Sequence, residues 1–338
     1  MLKTYTVYAN FVKKYAPFRG FTGLTVRGAF GTALREIVCI NPEAEKCFLC
    51  EHYQRCFYAR VFEASSRIKP DARIAKRGGL SGITKPYTVS PLHLRSRNLS
   101  FKINIFGEEV ISNEPIIVMA ILGMAIHGLG RDPILNERRR FVVHRISASL
   151  PEANPYDIFT YSDGYIYVKQ HTYQRNILEH FIKKAYRIAS DKPSSLILSF
   201  ITPTRITYEG KADFSMPMEA IIIHLARKYS LLSEYFNVGE PFTSEEAEAL
   251  KKLVSANISL RKSNFKVIKL HRYSIKQGRR QPLGLFVVGD YVYKVKRSFW
   301  KHPYSTLIVQ LLLLGQYTHV GTFASAGCGE YKIYWHIK

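Results

Sequence analysis

The sequence predicts an α+β protein built from two tandem ferredoxin-like, or RRM-like, βαββαβ domains with antiparallel sheets. Three observations predict it. A strand, helix, strand, strand, helix, strand order can be read twice along the 338 residues. Each copy sets a glycine turn between its second helix and its last strand, Gly128-Leu-Gly130 in the first and Gly321 to Gly329 in the second. A hydrophobic content of 46% over this length suffices for two cores of ordinary size.

The first domain is expected at 1–150. Leu2 to Phe11 alternates as a strand, and Leu24 to Val38 is a helix with Val26, Phe30, Ala33, Leu34 and Ile37 on one face. A cysteine-rich insertion follows at about 39–56. Lys85 to Leu92 and Leu99 to Phe106 alternate again, Glu114 to His127 is an apolar helix, and Phe141 to Ala148 closes the sheet. A connecting region at 151–192 holds a strand at Tyr165 to Val168 and a helix at Arg175 to Ser190. The second domain, 193–338, opens with a strand at Ser195 to Thr202. The helix Pro217 to Phe236 sets Met218, Ile222, Leu225, Tyr229 and Leu232 on one side. Thr243 and Glu246 have the spacing of a capping box for an added helix to Ser255. Lys266 to Ile275 pairs with Leu283 to Lys296, Pro303 to Leu314 is the second helix, and Tyr331 to Ile337 is the last strand.

Charge identifies the class of partner. Lys and Arg number 49 against 26 Asp and Glu, a net charge of +23, which exceeds what solubility needs and points to a polyanion. Eleven of those net charges lie between Asn257 and Lys301. Phe265, Tyr273, Tyr291, Tyr293 and Trp300 are interleaved with them, and aromatics beside cations suit stacking on unpaired bases together with phosphate pairing. The alternative is a solvated hairpin with ordinary core aromatics. No membrane partner is expected, because the apolar runs Pro115 to Ile126 and Leu307 to Leu314 are too short for a bilayer. The N-terminus alternates like a strand and lacks a signal-peptide core, so a cytoplasmic location is expected.

The glycine-rich tail Gly321 to Gly329 carries a phosphate expectation of its own. Glycine permits positive φ and has no Cβ to hold an anion away, so Gly321, Ser325, Gly327 and Gly329 are candidate RNA contacts through converging amides. The spacing matches neither a P-loop nor a dinucleotide fingerprint, which excludes a nucleoside triphosphate as first choice. Four cysteines cluster as Cys39, Cys47, Cys50 and Cys56. A Cys-x2-Cys knuckle with two flanking thiols is compatible with a structural zinc, disulfides are the alternative, and His52 lies inside the cluster as a further ligand candidate.

These features resemble the CRISPR repeat-processing endoribonucleases of the repeat-associated mysterious protein superfamily. The likeness rests on Leu24-Thr-Val-Arg-Gly-Ala-Phe-Gly-Thr-Ala-Leu34, the thiol segment ending in Cys56-Phe-Tyr-Ala-Arg-Val-Phe62, and Gly128-Leu-Gly130 followed by Arg138-Arg-Arg-Phe141. In the second half it rests on Phe200-Ile-Thr-Pro-Thr-Arg205, the basic hairpin Arg272 to Gly289 and the glycine loop. The resemblance implies cleavage of precursor CRISPR RNA within each repeat, without a catalytic cofactor, by attack of the 2′-hydroxyl on the adjoining phosphate. Such chemistry needs a base, an acid and cations, which His, Tyr, Lys and Arg supply. The family often sets a histidine just after the first helix. His52 is the histidine in that stretch, with Tyr53, Arg27 and Lys46 as helpers and His319 as the next candidate. Arg272, Lys276, Arg279 and Arg280 on the hairpin, with Lys294, Lys296 and Arg297 on its return, are the expected contacts to repeat RNA. Other CRISPR effector subunits are implied partners, in a monomer or homodimer. The other function class is a non-catalytic RNA-binding subunit of a CRISPR ribonucleoprotein.

Overall fold

Alternation from the first residues builds the central strand of the first sheet, β1 (Leu2–Phe11). Leu2, Tyr5, Val7, Ala9 and Phe11 are buried, so the strand lies in the middle of its sheet. The computed structural model describes residues 1–63, 83–168, 176–274 and 279–337. Backbone contacts divide these into two compact units, one holding 1–63, 83–168 and 235–237, the other 176–234 and 238–337.

In the first unit β1 is followed by α1 (Gly23–Val38), a short α2 (Phe57–Val61), β2 (Tyr87–Val89), β3 (His93–Arg95) and β4 (Asn98–Phe106). Next come α3 (Glu108–Ile111), α4 (Glu114–His127), β5 (Phe141–Ser149) and β6 (Tyr156–Thr160). The sheet order β2-β4-β1-β5-β6, with β3 on β4, contains the ferredoxin-like arrangement. Helix α1 buries Val26, Ala29, Phe30, Ala33 and Leu34. It meets α4 closely, because a Cβ on Gly123 would lie 3.2 Å from that of Ala33. Helix α4 is apolar on every side and buries Ile117, Val118, Ala120, Ile121 and Met124. Each such side chain contributes about 1.5–3 kcal/mol through removal from water. Tyr165 to Val168 is not the expected strand: only Ile166 bridges, to Phe159, and Tyr165, Tyr167 and Val168 are exposed. The strand of this stretch is β6, which adds an edge next to β5.

One buried ion pair fixes the start of α4. Lys3 Nζ lies 2.6 Å from Glu114 Oε1, both side chains almost inaccessible, and the ammonium also faces the rings of Tyr5 and Tyr156. Glu114 stands at the helix N-terminus, where a carboxylate also meets the favourable end of the dipole.

The second unit runs α5 (Ile182–Asp191), β7 (Ser195–Thr204), β8 (Ile206–Tyr208), β9 (Lys211–Asp213) and α6 (Met218–Phe236). It continues with α7 (Ser244–Asn257), β10 (Ile258–Ser274), β11 (Arg279–Val295), α8 (Ser305–Thr318) and β12 (Tyr331–His336). The order β10-β11-β7-β12 is again ferredoxin-like. The chain is thus a tandem of two such folds. Tyr291 and Tyr293 are buried on the inner side of β11, and their hydroxyls donate to the carbonyls of Phe214 and Met216. The Thr243 capping box forms with both of its hydrogen bonds.

Strands β10 and β11 are longer than the alternation predicts, 17 residues each. Strand β11 pairs with β7 only between Val287 and Lys294, so residues 268–274 and 279–286 continue past the sheet as a two-stranded ribbon. No helix among the described residues is long and apolar enough to cross a membrane.

Candidate nucleic-acid interface

The ribbon and its root carry most of the expected cations. Arg272 is exposed and its Nε donates to Gln281 Oε1 at 2.9 Å, which braces it across the two strands. Arg280 is exposed, opposite Tyr273, and the backbone of Arg279 pairs with Ser274. Lys276 lies outside the described residues. Lys294 points to solvent from β11, Lys296 is exposed with Nζ donating to the Ala256 carbonyl, and Arg297 opens the exposed turn that follows. At the ribbon's base Arg205 donates to the Leu283 carbonyl at 3.2 Å, and its own carbonyl accepts the amide of Thr322. The Phe200 to Arg205 segment therefore ties the ribbon to the glycine loop.

Register adds residues that the linear sequence does not bring together. Tyr334, Ile197, Val292 and Lys262 lie in one row across the sheet; Lys332, Ser199, Asp290 and Asn264 form the next. His336, Ser195, Lys294 and Ser259 form a third. Directly opposed residues share a face. Lys262, Lys294, Lys332, Tyr334 and His336 are all exposed on this open face, so cations and an aromatic ring stand together on a flat platform. Lys332, Tyr334 and His336 were legible as strand residues, but only pairing with β7 sets them beside Lys294.

The glycine loop differs from the expectation of free amides. The amides of Val320, Thr322, Ala326, Gly327, Cys328 and Gly329 all donate to backbone carbonyls, and that of Glu330 donates to Thr202 Oγ1. A Cβ on Gly321 would fall 2.2 Å from the Arg205 carbonyl oxygen, and one on Gly329 1.8 Å from that of Val320. With φ at +77° and +80°, these two glycines serve close backbone packing. Gly327 also takes positive φ, as the C-cap of the turn Ala324–Ala326 that contains Ser325.

His319 does not face a phosphate either. It is buried, and desolvation together with the Lys228 charge pushes its pKa down to about 3, so the ring is neutral. Lys228 is also buried and donates to the carbonyls of Thr318 and His319; burial lowers its pKa to about 7. Cys328 is buried, its thiol pushed up to about 12 by desolvation. Arg139, the middle of the Arg138 to Arg140 run, is likewise internal: it lies 3.6 Å from Asp132 and stacks over Phe18.

The expected catalytic residues lie on α1 and on the segment that follows it. Arg27 lines a cleft of about 660 Å³ between α1 and α2, with Gly31, Arg35, Cys39, Tyr58 and Phe62 among its walls. His52, Tyr53 and Lys46 are not part of that wall. His52 is 45% exposed on the turn before α2, where its Nε2 lies 3.3 Å from Glu51. The Tyr53 amide closes that turn on Cys50, and Lys46 faces the Phe48 ring. The structure therefore sets Arg27 in a cleft whose walls do not include His52. Cys39, Cys47, Cys50 and Cys56 are free and half-buried. Cys39 caps α1, Cys50 ends a 3-10 turn and Cys56 starts α2. Among the described residues no group of three or more His, Cys, Asp or Glu side chains is placed to hold a metal ion.

Two family models match. One, AF_1859_N, described as an N-terminal domain, covers residues 2–172, and the other, CRISPR-associated endoribonuclease Cas6, covers residues 198–331. No curated protein matches the sequence. Among solved structures, a product complex of Thermus thermophilus Cas6 aligns over 99% of this chain and all of its own, with 15% identity and a TM-score of 0.55. A second structure of that Cas6 aligns over 99% of this chain and 98% of its own, at 12% identity and a TM-score of 0.51. A partial Cas6-RT-Cas1–Cas2 complex aligns over all of this chain and 46% of its own, at 13% identity and a TM-score of 0.52. The Cas6 endoribonuclease model thus falls on the unit that carries the basic ribbon, and the solved structures share the tandem ferredoxin-like fold along the whole chain.

Proposed function

We propose that this protein binds CRISPR repeat RNA and cleaves precursor CRISPR RNA within the repeats to make guide RNAs. The match of residues 198–331 to the endoribonuclease family carries the reading, because that stretch supplies the ribbon and, together with the last strand that follows it, the open basic sheet face. Arg272, Arg279, Arg280, Lys294, Lys296 and Arg297 pair with phosphates, joined by Lys262 and Lys332, and Tyr334 offers a stacking surface. In the reaction the 2′-oxygen forms a bond to phosphorus while the bond from phosphorus to the 5′-oxygen breaks. The 2′-hydroxyl proton passes to a base and the departing 5′-oxygen receives one from an acid, leaving a 2′,3′-cyclic phosphate and a 5′-hydroxyl. His52 is the proposed proton-transfer group, with Tyr53 and Lys46 on the same loop and Arg27 for phosphate charge. No divalent cation is needed, since protons and fixed cations balance every step.

The experiment uses end-labelled repeat RNA with excess EDTA. Cleavage should persist with cyclic-phosphate ends, and His52→Ala should slow it at least about a hundredfold with binding unchanged. A 3′-hydroxyl product would sink the mechanism. A second reading, an RNA-binding subunit that does not cut, is favoured by the position of His52 outside the α1–α2 cleft. The neighbour from a Cas6-RT-Cas1–Cas2 complex supports partner subunits for either reading. Tight binding with no cleavage of the cognate repeat decides for the second.

A further inference from the structure

A second cation, Lys85, meets Arg27 at the Phe62 ring, which forms part of the wall of the α1–α2 cleft, and the chemistry above does not use it. Phe62 sits in a notch at Gly31, where a Cβ would fall 2.2 Å from its ring, and the ring stacks on Tyr58 and Tyr87 at 5.3 and 6.0 Å. It is therefore a fixed platform. The Arg27 guanidinium lies 4.6 Å from its centroid and Lys85 Nζ 5.3 Å, with Lys85 also donating to the Phe62 carbonyl.

Like charges brought together beside a buried ring oppose folding. Burial first, and then the Arg27 charge, lower the Lys85 pKa to about 8, against a smaller opposing pull from Glu63. Cation–π attraction returns about 0.5–2 kcal/mol per pair and does not require the two cations to converge. Arg35, two turns along α1, is occupied differently: it donates to the Pro42 carbonyl and to Cys39. An anion next to Arg27 and Lys85 would neutralise both. The cleft beside them is of the size that takes a small ligand, and its walls mix aromatic and polar surface.

We propose that Arg27 and Lys85, held together at the Phe62 ring, form a binding site for one phosphate group of RNA, with the α1–α2 cleft taking the attached nucleoside. The site deepens the RNA-processing reading and rests on it for the source of the phosphate. Bound phosphate favours the charged form of Lys85 and so restores its ordinary basicity.

Binding of uridine 2′,3′-cyclic monophosphate and of inorganic phosphate to the full chain tests the site. The cyclic nucleotide should bind more tightly than phosphate. Arg27→Met and Lys85→Met should each weaken it about tenfold or more, the scale of one charge-assisted contact, and Lys85→Arg should retain it. Unchanged affinity in both Met variants, or phosphate binding as well as the nucleotide, overturns the proposal. Should a Met variant not fold, the Lys85 side-chain NMR titration in the wild type decides: its midpoint rises on adding the nucleotide, and a fixed midpoint overturns the site. Repeat RNA separates the two readings. If Arg27- and Lys85-dependent nucleotide binding holds while wild type neither binds nor cuts the repeat, the site stands and the repeat-RNA reading fails. Cleavage at wild-type rate by variants that have lost the nucleotide overturns the site's part in processing.

Discussion

The two ferredoxin-like units turn the same corner, from second helix to last strand, with opposite electrostatics. In the first unit, Gly128 and Gly130 lead to Asp132, whose carboxylate accepts the amides of Ala16, Ile134 and Leu135 and faces Arg139. Arg139 in turn donates to the carbonyls of Arg131 and Ala16. The buried charges face each other as an ion pair. In the second unit the corner holds Lys228 against the carbonyls of Thr318 and His319, beside a neutral buried His319. The bases there are kept by removing charge instead of pairing it. The same topology can therefore be closed by an ion pair or by bases of depressed pKa, and the two closures respond differently to pH.

The largest expected break in that comparison is steric. Gly329→Ala places a Cβ 1.8 Å from the Val320 carbonyl at a positive φ, against rigid backbone. A loss of about 3 kcal/mol or more is expected by chemical denaturation. A near-neutral result would show that the second corner relaxes freely.

Acid should sharpen the contrast next. His319 has a folded pKa of about 3 against 6.5 unfolded, so the unfolded state binds more protons between those values. Stability from this group is complete above pH 6.5 and is lost as pH falls towards 3, at up to about 1.4 kcal/mol per pH unit. His180 and His224, both lowered to about 4 chiefly by burial, act in the same direction. His319→Asn keeps the positive-φ backbone tolerable and should flatten the acid limb of a stability profile. Asp132 acts in the same direction but in a more acid window: the amides of Leu135, Ile134 and Ala16 and the Arg139 charge hold its pKa below the usual carboxylate value, so its contribution is lost only as pH falls through that lower range.

Lys228 should act at the alkaline end. Its folded pKa of about 7 lies below 10.5, so stability rises with pH between the two as the cost of a buried ammonium disappears. Lys228→Met should remove that rise; a slope that remains belongs to another group.

The smallest effect belongs to the first corner. Gly130→Ala meets the Thr25 methyl at 3.4 Å and Arg139 Nη1 at 3.8 Å, both ordinary contacts, leaving the positive φ as the main cost, about 1 kcal/mol. A loss as large as that of Gly329→Ala would erase the distinction between the corners.

Periodicity and spacing by themselves determined the tandem ferredoxin-like plan, because period-2 and period-3.6 burial is written locally in Leu2 to Phe11, Met218 to Phe236 and their counterparts. The Thr243 cap and the concentration of cations along β10 and β11 were equally local. Tyr165 to Val168 misled because alternation states only that a strand has two faces, not that a neighbour exists to pair with it. Tertiary structure alone decided the site. The linear sequence shows three glycines and a histidine after α8, but whether the loop's amides are free depends on Pro203, Arg205 and Phe323 arriving as partners. It shows Lys85 and Arg27 more than fifty residues apart, and only the Phe62 ring brings them together. It shows Lys262, Lys294 and Lys332 on three separate strands, and only antiparallel register through β7 and β11 sets them on one face. Local patterns specify which side of an element meets water; the free energy of a charge, an amide or a cation pair depends on neighbours that chain connectivity does not reveal.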